Sequence, residues 1–507
     1  MTVRALKPGT GLAPIIALSC IGVAGLVLIT RWGIGTSPDG VAYIRVARQF
    51  LGGAEGVASS QHAPLYSLLL ALLGALGLDP FGGARWLNAA TFGLNILLVG
   101  ALTRHAARHC PWLAVAGAAL MLVLTPMLAT HAAALSEPVF LSLTLTGCWL
   151  LARYAEDPTP RRLLLAAAVV SLALLARYAG AAVVLTGGLV ILLMGPARFR
   201  DRFGHGLLFG TVTALPLTAW MLRNLWAGGG ATGRDLAFHP VGLSHAWEAL
   251  YTASGWLLIP PAAPNVVRLA AWLALIVLLG GAAIRCLGRS VPAPPVVRVL
   301  ALFVVTYGVF LAASISFLDA NTPLDDRILL PALAAALVIS LFLLDTLWPL
   351  ARRRRLVAAT AVVALVAFTG AHAVKAATLA ATGFERGWGF SSRAWQQSPT
   401  IAQVRDLPAA MPVFSNAPEI VYLHTGRTAR GLPRTRFLMN QQANPAFAAE
   451  LSRLGDELGA ACGALVYFRT LQQKAMPSEA EIRTRLAVAA WSEAGDGVIL
   501  GAPACRP

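Results

Sequence analysis

The chain is built from long apolar runs separated by short polar segments. Runs of spanning length lie at about 11–30, 84–103, 112–130, 137–154, 163–177, 180–197, 205–224, 267–285, 299–318, 328–349 and 356–375. A membrane helix needs about 20 apolar residues and tolerates slightly fewer, so this pattern predicts about eleven transmembrane helices. One further run, Pro64 to Leu78, has only about fifteen residues, a length that suits a re-entrant or interfacial helix. After Ala376 the pattern changes. Residues 390–507 contain no run of that length and alternate helix-like stretches (around Asn444–Leu458 and Ser478–Leu486) with short apolar runs such as Ala464–Phe468 and Val498–Leu500. That alternation reads as a small α/β domain. The expected organisation is a membrane module over 1–375, with its first outer loop at 33–83, and a C-terminal domain over 376–507.

Composition sharpens the class. Hydrophobic residues make up 57% of the chain and charged residues 12%, which excludes a soluble globular enzyme, a disordered chain and a collagen-like fibre. The net charge of +17 comes from 40 Lys and Arg against 23 Asp and Glu. These bases sit in short clusters between apolar runs, as in cytoplasmic loops, and not in a nucleic-acid-binding patch, so no nucleic-acid partner is expected. The first run is long enough to span and lacks a small-residue cleavage site, so it is not read as a signal peptide.

The same clusters set the expected orientation. If the short run at Pro64 does not cross, one set of loops collects Arg104, Arg108, Arg153, Arg161, Arg162, Arg198, Arg200, Arg202, Arg285, Arg289, Arg298 and Arg352 to Arg355, against Glu156, Asp157 and Asp201. The opposite loops, with Arg45, Arg48, Arg177, Arg223, Arg234 and Arg327, hold more acids than bases. The positive-inside rule then places the N-terminus in the cytoplasm and the C-terminal domain outside. Cys462 and Cys505 both fall in that domain, where an oxidising compartment would let them pair. No Cys/His spacing matches a zinc site.

Ionisable groups near membrane spans are costly and point to function. Most collect on the outer side: Asp39 and Tyr43 in the first loop, Gln61-His62-Ala-Pro-Leu-Tyr66 opening the short run, Ser136-Glu137-Pro138, Arg177-Tyr178, Arg223, the Gly228–Gly233 stretch with Arg234-Asp235, and Asp325-Asp326-Arg327. A carboxylate at the membrane edge can take a proton from a hydroxyl or ligate a divalent cation. Arginines at the same depth can hold a phosphate through the guanidinium fork. A substrate phosphate anchored in the bilayer by a long hydrocarbon fits that arrangement. Plainer readings exist for each: Asp39 as a helix cap, Glu137 as a helix-dipole partner, His62 as a cap, Arg177, Tyr178, Arg223 and Arg327 as interfacial anchors, and Arg234-Asp235 as a loop ion pair. Asp325 or Asp326 is expected to pair with Arg327. The glycine run lacks the Lys-Ser/Thr ending of a phosphate loop.

Asp39 with Tyr43 four residues on, His62-Ala-Pro-Leu-Tyr66, Ser136-Glu137-Pro138 and Arg327-Ile-Leu-Leu-Pro331 together resemble the GT-C class of membrane glycosyltransferases. The nearest branch is that of the bacterial relatives of protein O-mannosyltransferases and lipid A aminoarabinose transferases, similar to glycosyltransferase family 39. The resemblance covers about residues 10–375, with a similar periplasmic domain following. It implies a polytopic α-helical GT-C fold in a bacterial inner membrane. It also implies transfer of a sugar from a polyprenyl-phosphate donor to a lipid, glycan or protein hydroxyl on the periplasmic face. Asp39 and Glu137 would be catalytic and, with a divalent metal, its ligands. His62, Arg177, Tyr178, Arg223 and Arg327 would bind the donor phosphate, and Tyr43, Tyr66 and Arg234 the substrate. Many protein mannosyltransferases carry an Asp-Glu pair where this chain has Asp39-Gly40, which weighs against protein mannosylation. The rival readings are a transporter or flippase, whose polar groups would lie near the midplane in repeated halves, and a surface-polysaccharide polymerase or ligase.

Overall fold

The computed structural model describes residues 12–52, 61–227, 230–233, 236–287, 293–471, 473 and 475–505, without the side chains of 279 and 282–287. Arg234, Asp235, Gly228, Gly229 and Arg289 lie outside the described residues. Every segment expected to span is helical: α1 (Leu12–Ile29), α4 (Pro80–Ala106), α5 (Leu113–Val123) continued by α6 (Thr125–His131), α7 (Glu137–Glu156), α8 (Pro160–Ala176), α9 (Ala181–Met194), α10 (Phe199–Trp226), α12 (Asn265–Leu287), α13 (Pro295–Phe317), α14 (Leu330–Arg352) and α15 (Arg355–Arg386). Among the described residues six are long and apolar enough to cross a bilayer on length and composition alone, and the α5–α6 pair makes a seventh. That pair bends by 57° where Pro126 removes a backbone donor from the helix ladder.

The first outer loop holds two helices, α2 (Pro38–Phe50) and α3 (Leu65–Ala75). With 11 residues, α3 is about 16 Å long, half the hydrocarbon thickness, so it is too short to cross. Another loop helix, α11 (Leu243–Trp256), precedes α12. Buried side chains of α1, α4, α5, α7, α8, α13 and α14 form one continuous core, while α10 and α15 keep most of their apolar side chains at the surface, as expected of helices whose solvent is lipid.

The C-terminal domain carries the short helices α16 (Arg393–Gln396) and α17 (Pro399–Asp406), then β1 (Val413–Ser415), α18 (Pro418–Thr425), β2 (Ala429–Gly431), α19 (Phe447–Ala460), β3 (Ala464–Phe468), α20 (Glu479–Leu486), β4 (Ala489–Ala494) and β5 (Gly497–Gly501). The strands form one sheet in the order β2-β1-β3-β5-β4, parallel on the β1 side and antiparallel around β5. Alternation along the strands gives it two apolar faces. Val466 and Ile499 pack with Ile401 and Ile420 on one face; Leu465 and Leu500 pack with Leu454, Leu458 and Ile482 on the other. Cys462 and Cys505 form a disulfide with their Cα atoms 5.2 Å apart.

At the end of α14 near Arg352, Asp345 is buried inside the helix bundle. Its carboxylate accepts the backbone N–H groups of Arg108, His109 and Cys110 at 2.7–2.8 Å. One side chain thus satisfies three donors of the loop between α4 and α5, which is a structural use of an ionisable group inside a span. Asp345→Ala is expected to destabilise the protein by about 3 kcal/mol, since it strands those amides, with Asp345→Asn intermediate. Thermal unfolding of the purified protein in detergent measures the difference.

Candidate active site

The residues just before α2 are held between two distant parts of the chain. Gly35 exchanges backbone hydrogen bonds with Ala132 and Ala134 at 2.8 and 2.7 Å, and Phe390 donates to the Thr36 carbonyl at 2.9 Å. Helix α2 then starts with Ser37 as N-cap, Pro38 in the first turn and Asp39 beside the positive end of the helix. Gly40 follows because a Cβ there would stand 2.8 Å from the Ala134 carbonyl oxygen. Its absence lets α2 lie against the 132–136 connection, and that close approach brings Asp39 to Glu137, the first residue of α7.

Arg327 joins the two acids. Its Nη2 donates to Asp39 Oδ2 at 2.6 Å, and its Nε donates to Glu137 Oε1. Arg177 Nη1 reaches the same Glu137 oxygen at 2.6 Å and donates to Ser136 Oγ at 3.1 Å. Arg177 is presented because α8 ends there in extended backbone and Tyr178–Gly180 make a single 3-10 turn. Arg327 is presented by a turn in which Asp325 Oδ1 accepts the backbone N–H groups of Arg327 and Ile328, both at 3.0 Å. Asp326 accepts from the Trp256 indole at 2.8 Å. Neither residue is the ionic partner of Arg327, contrary to the expectation; Asp39 and Glu137 take that place.

His62 Nε2 lies 3.6 Å from Asp39 Oδ1, and its ring meets Tyr43 edge-on at 4.8 Å between centroids. Tyr43 and Ser136 share a hydrogen bond of 3.0 Å, and Ser136 Oγ donates to Glu137 Oε2 at 3.4 Å. With its own proton given to Glu137, Ser136 accepts from Tyr43. Burial pushes the Tyr43 hydroxyl up to about 12, so it stays a neutral donor. For Asp39, burial alone would raise the carboxyl pKa, but the neighbouring His62 and the charge of Arg327 hold it well below the usual carboxylate range. Glu137 is almost fully enclosed, whereas the Asp39 carboxylate is 36% exposed and faces the cavity.

These groups form the floor of a cavity of about 820 Å³ between the helix bundle and the C-terminal domain. Asp39, Tyr43, His62, Arg177, Tyr178 and Arg327 all line it. Three expected residues do not: Glu137 is enclosed beneath the two arginines, and Tyr66 and Arg223 lie elsewhere. Tyr66 is fully buried behind Tyr43, with its hydroxyl on Asn88 at 3.1 Å; it supports the wall. Arg223, on α10, turns to Asn224 at 3.1 Å and stacks over Trp220. Tyr307, not among the expected residues, also lines the cavity and donates to the Ile328 carbonyl at 2.6 Å; a tyrosine tip within an apolar run is its only signal in the sequence. Nor does the sequence mark the roof, where Arg434, Arg436 and Asn440 of the C-terminal domain close over the floor. Ala320 donates to the Met439 carbonyl at 2.9 Å and ties that roof to the membrane module.

The donor set does not fit a divalent cation held between Asp39 and Glu137. Their oxygens already face Arg327, Arg177, His62 and Ser136. Among the described residues no group of three His, Cys, Asp or Glu side chains gathers as a metal site, whereas hard cations take six or more oxygens.

Comparisons with known proteins bear on the fold. The family described as dolichyl-phosphate-mannose-protein mannosyltransferase matches residues 61–221. No curated protein matches the sequence. ArnT from Cupriavidus metallidurans in the apo state superposes with a TM-score of 0.60 at 11% identity, over 97% of this chain and 98% of that one. ArnT bound to undecaprenyl phosphate gives 0.58 at 12% identity, over 98% and 100%. The mycobacterial arabinofuranosyltransferase AftD gives 0.56 at 14% identity, over 97% of this chain and 42% of that longer one. The helix bundle, the helices of the first loop and the small sheet domain together make the fold of this chain that of the GT-C membrane glycosyltransferases.

Proposed function

We propose that the protein is a glycosyltransferase that moves a sugar from a polyprenyl-phosphate donor to an acceptor hydroxyl. The observation that carries the reading is the Asp39–Arg327–Glu137 bridge on the floor of the cavity, with Arg177 beside it. It sets a partly exposed carboxylate next to guanidinium groups that match a phosphate. Undecaprenyl phosphate bound to a protein of this fold supports a lipid-phosphate donor. The charge of the loops supports an orientation with the cavity on the face opposite the Arg-rich loops, which in the bacterial inner membrane implied by the resemblance is the periplasmic face.

In the proposed reaction the acceptor hydroxyl attacks the anomeric carbon and gives its proton to Asp39. The bond from that carbon to the phosphate oxygen breaks, and the electron pair leaves with polyprenyl phosphate. Arg327 and Arg177, with His62, stabilise the charge gathered there. Glu137, enclosed and paired with both arginines, holds those guanidinium groups in place. A single displacement inverts the anomeric carbon. The sugar and the acceptor are set by the remaining cavity walls, including the roof at Arg434 and Arg436.

Asp39→Asn is expected to lower kcat by about 10²- to 10⁴-fold while donor binding persists; release of polyprenyl phosphate by the purified protein measures it. Equal turnover in the variant overturns the role of Asp39. The lowered pKa of Asp39 keeps it ionised as pH falls, so protonation silences it only below the ordinary carboxylate range. Arg327→Gln removes one of the charges that hold it down and moves the acid limb of the rate profile up toward about pH 4.

Glu137→Gln leaves two arginines without their buried counter-charge. A loss of about 3 kcal/mol in stability is expected, together with weaker donor binding; thermal unfolding and donor titration separate the two. Treatment with EDTA is expected to leave turnover unchanged, because the carboxylates are committed to guanidinium partners.

A further inference from the structure

A second cavity, of about 710 Å³, lies away from the floor just described, where α1 ends and α15 runs into the C-terminal domain. Arg31, Arg386, Arg393, Ser392 and Gln397 line it, with Glu385 as the one carboxylate. Among the described residues none of the three arginines makes an ion pair.

Two of the guanidinium groups are set in place by the fold. Arg31 Nε donates to the Phe384 carbonyl at 2.7 Å, and its Cζ lies 3.6 Å from the Phe384 ring centroid and 5.1 Å from that of Trp32. The Trp32 indole donates to the same carbonyl at 3.0 Å, while Gln396 donates to the Trp32 carbonyl at 2.7 Å. Arg393 also sits over this anchored ring, 5.4 Å from its centroid. Arg386 is exposed at the last turn of α15. The cations are therefore held by aromatic rings, which leaves their outward N–H groups for a ligand.

The position says which ligand. Arg31 and Trp32 follow directly on the apolar run of α1, at the level where Trp and Arg flank a hydrocarbon core. Both α1 and α15 expose large apolar side chains along their length, among them Ile16, Ile21, Leu28, Val363, Val366 and Val374. Acyl chains lying against those helices bring a headgroup phosphate to the three arginines. We propose that this cavity binds the phosphate of an anionic phospholipid from the leaflet on the side of the C-terminal domain. The site seats a structural lipid that braces α1 against α15, and it is independent of the proposed transferase chemistry.

Native mass spectrometry of the delipidated protein in detergent tests it, with phosphatidylglycerol and phosphatidylcholine of matched chains as probes. The protein is expected to retain one more phosphatidylglycerol than the Arg386→Gln/Arg393→Gln variant, whose affinity at this site falls about tenfold or more. Arg352→Gln/Arg353→Gln, at the other end of the bundle, is expected to keep that molecule. Glu385→Gln removes the one repelling charge and is expected to tighten binding a few-fold, which covers the case of a poorly folded double variant. Phosphatidylcholine retained equally well, or the same lipid count in protein and double variant, overturns the proposal. So does full displacement by millimolar inorganic phosphate, which would make the ligand a free anion.

Discussion

Everything near the cavity floor depends on one guanidinium group. Arg327 comes from the loop before α14, Asp39 from the first turn of α2 and Glu137 from the start of α7, and the arginine binds both acids. An ionised carboxylate as enclosed as Glu137 needs charged partners, or burial would drive it to its neutral form. The second partner is Arg177, from the break after α8. Four regions far apart in sequence are thus fixed to one point by charge pairing, and the apolar packing of α4, α7, α8 and α13 brings their ends close enough for it to happen.

The C-terminal domain is attached to this arrangement through the same first loop. Arg48 on α2 pairs with Asp79 at 2.9 Å and stacks on Tyr422 of α18. Phe390 bonds to Thr36, three residues before Asp39. With Ala320 bonded to Met439 on the far side, the domain bridges the cavity and is anchored at both rims. A displacement of this domain would be felt first at α2.

Much of this was legible in the sequence because the bilayer makes exceptions conspicuous. Asp39, His62, Glu137, Arg177 and Arg327 stand out since charge at the edge of an apolar run needs a reason, and the structure brings those five together. The short run at Pro64 was readable as non-crossing because its length favours an interfacial helix and a crossing there would put the Arg-rich loops outside. Placement within a wall was not readable: Tyr66 and Tyr43 share one motif region, yet one hydroxyl faces Asn88 and the other Ser136. Gly40, which departs from the Asp-Glu pair of many protein mannosyltransferases, has a steric reason that only the approach of Ala134 reveals. Asp345 went unremarked within an apolar run because its partners are main-chain amides of another loop, and sequence does not display main-chain donors. The roof residues come from a domain whose docking no local pattern encodes.

One consequence follows from the charge balance of the floor. Asp39 and Glu137 carry two negative charges against the two positive charges of Arg177 and Arg327, so the set is neutral as it stands. On the floor itself an arriving phosphate therefore finds no surplus of positive charge; to bind there it must draw a guanidinium away from a carboxylate that already holds it. The net electrostatic gain is the difference between two ion pairs of similar quality, which is small. Affinity for a lipid-phosphate ligand must then come mainly from its hydrocarbon chain, at about 0.8 kcal/mol per buried methylene. Selection at this floor is accordingly by anchoring: a water-soluble phosphate with the same headgroup is a weak competitor, and the membrane itself serves as the first filter on what reaches Asp39.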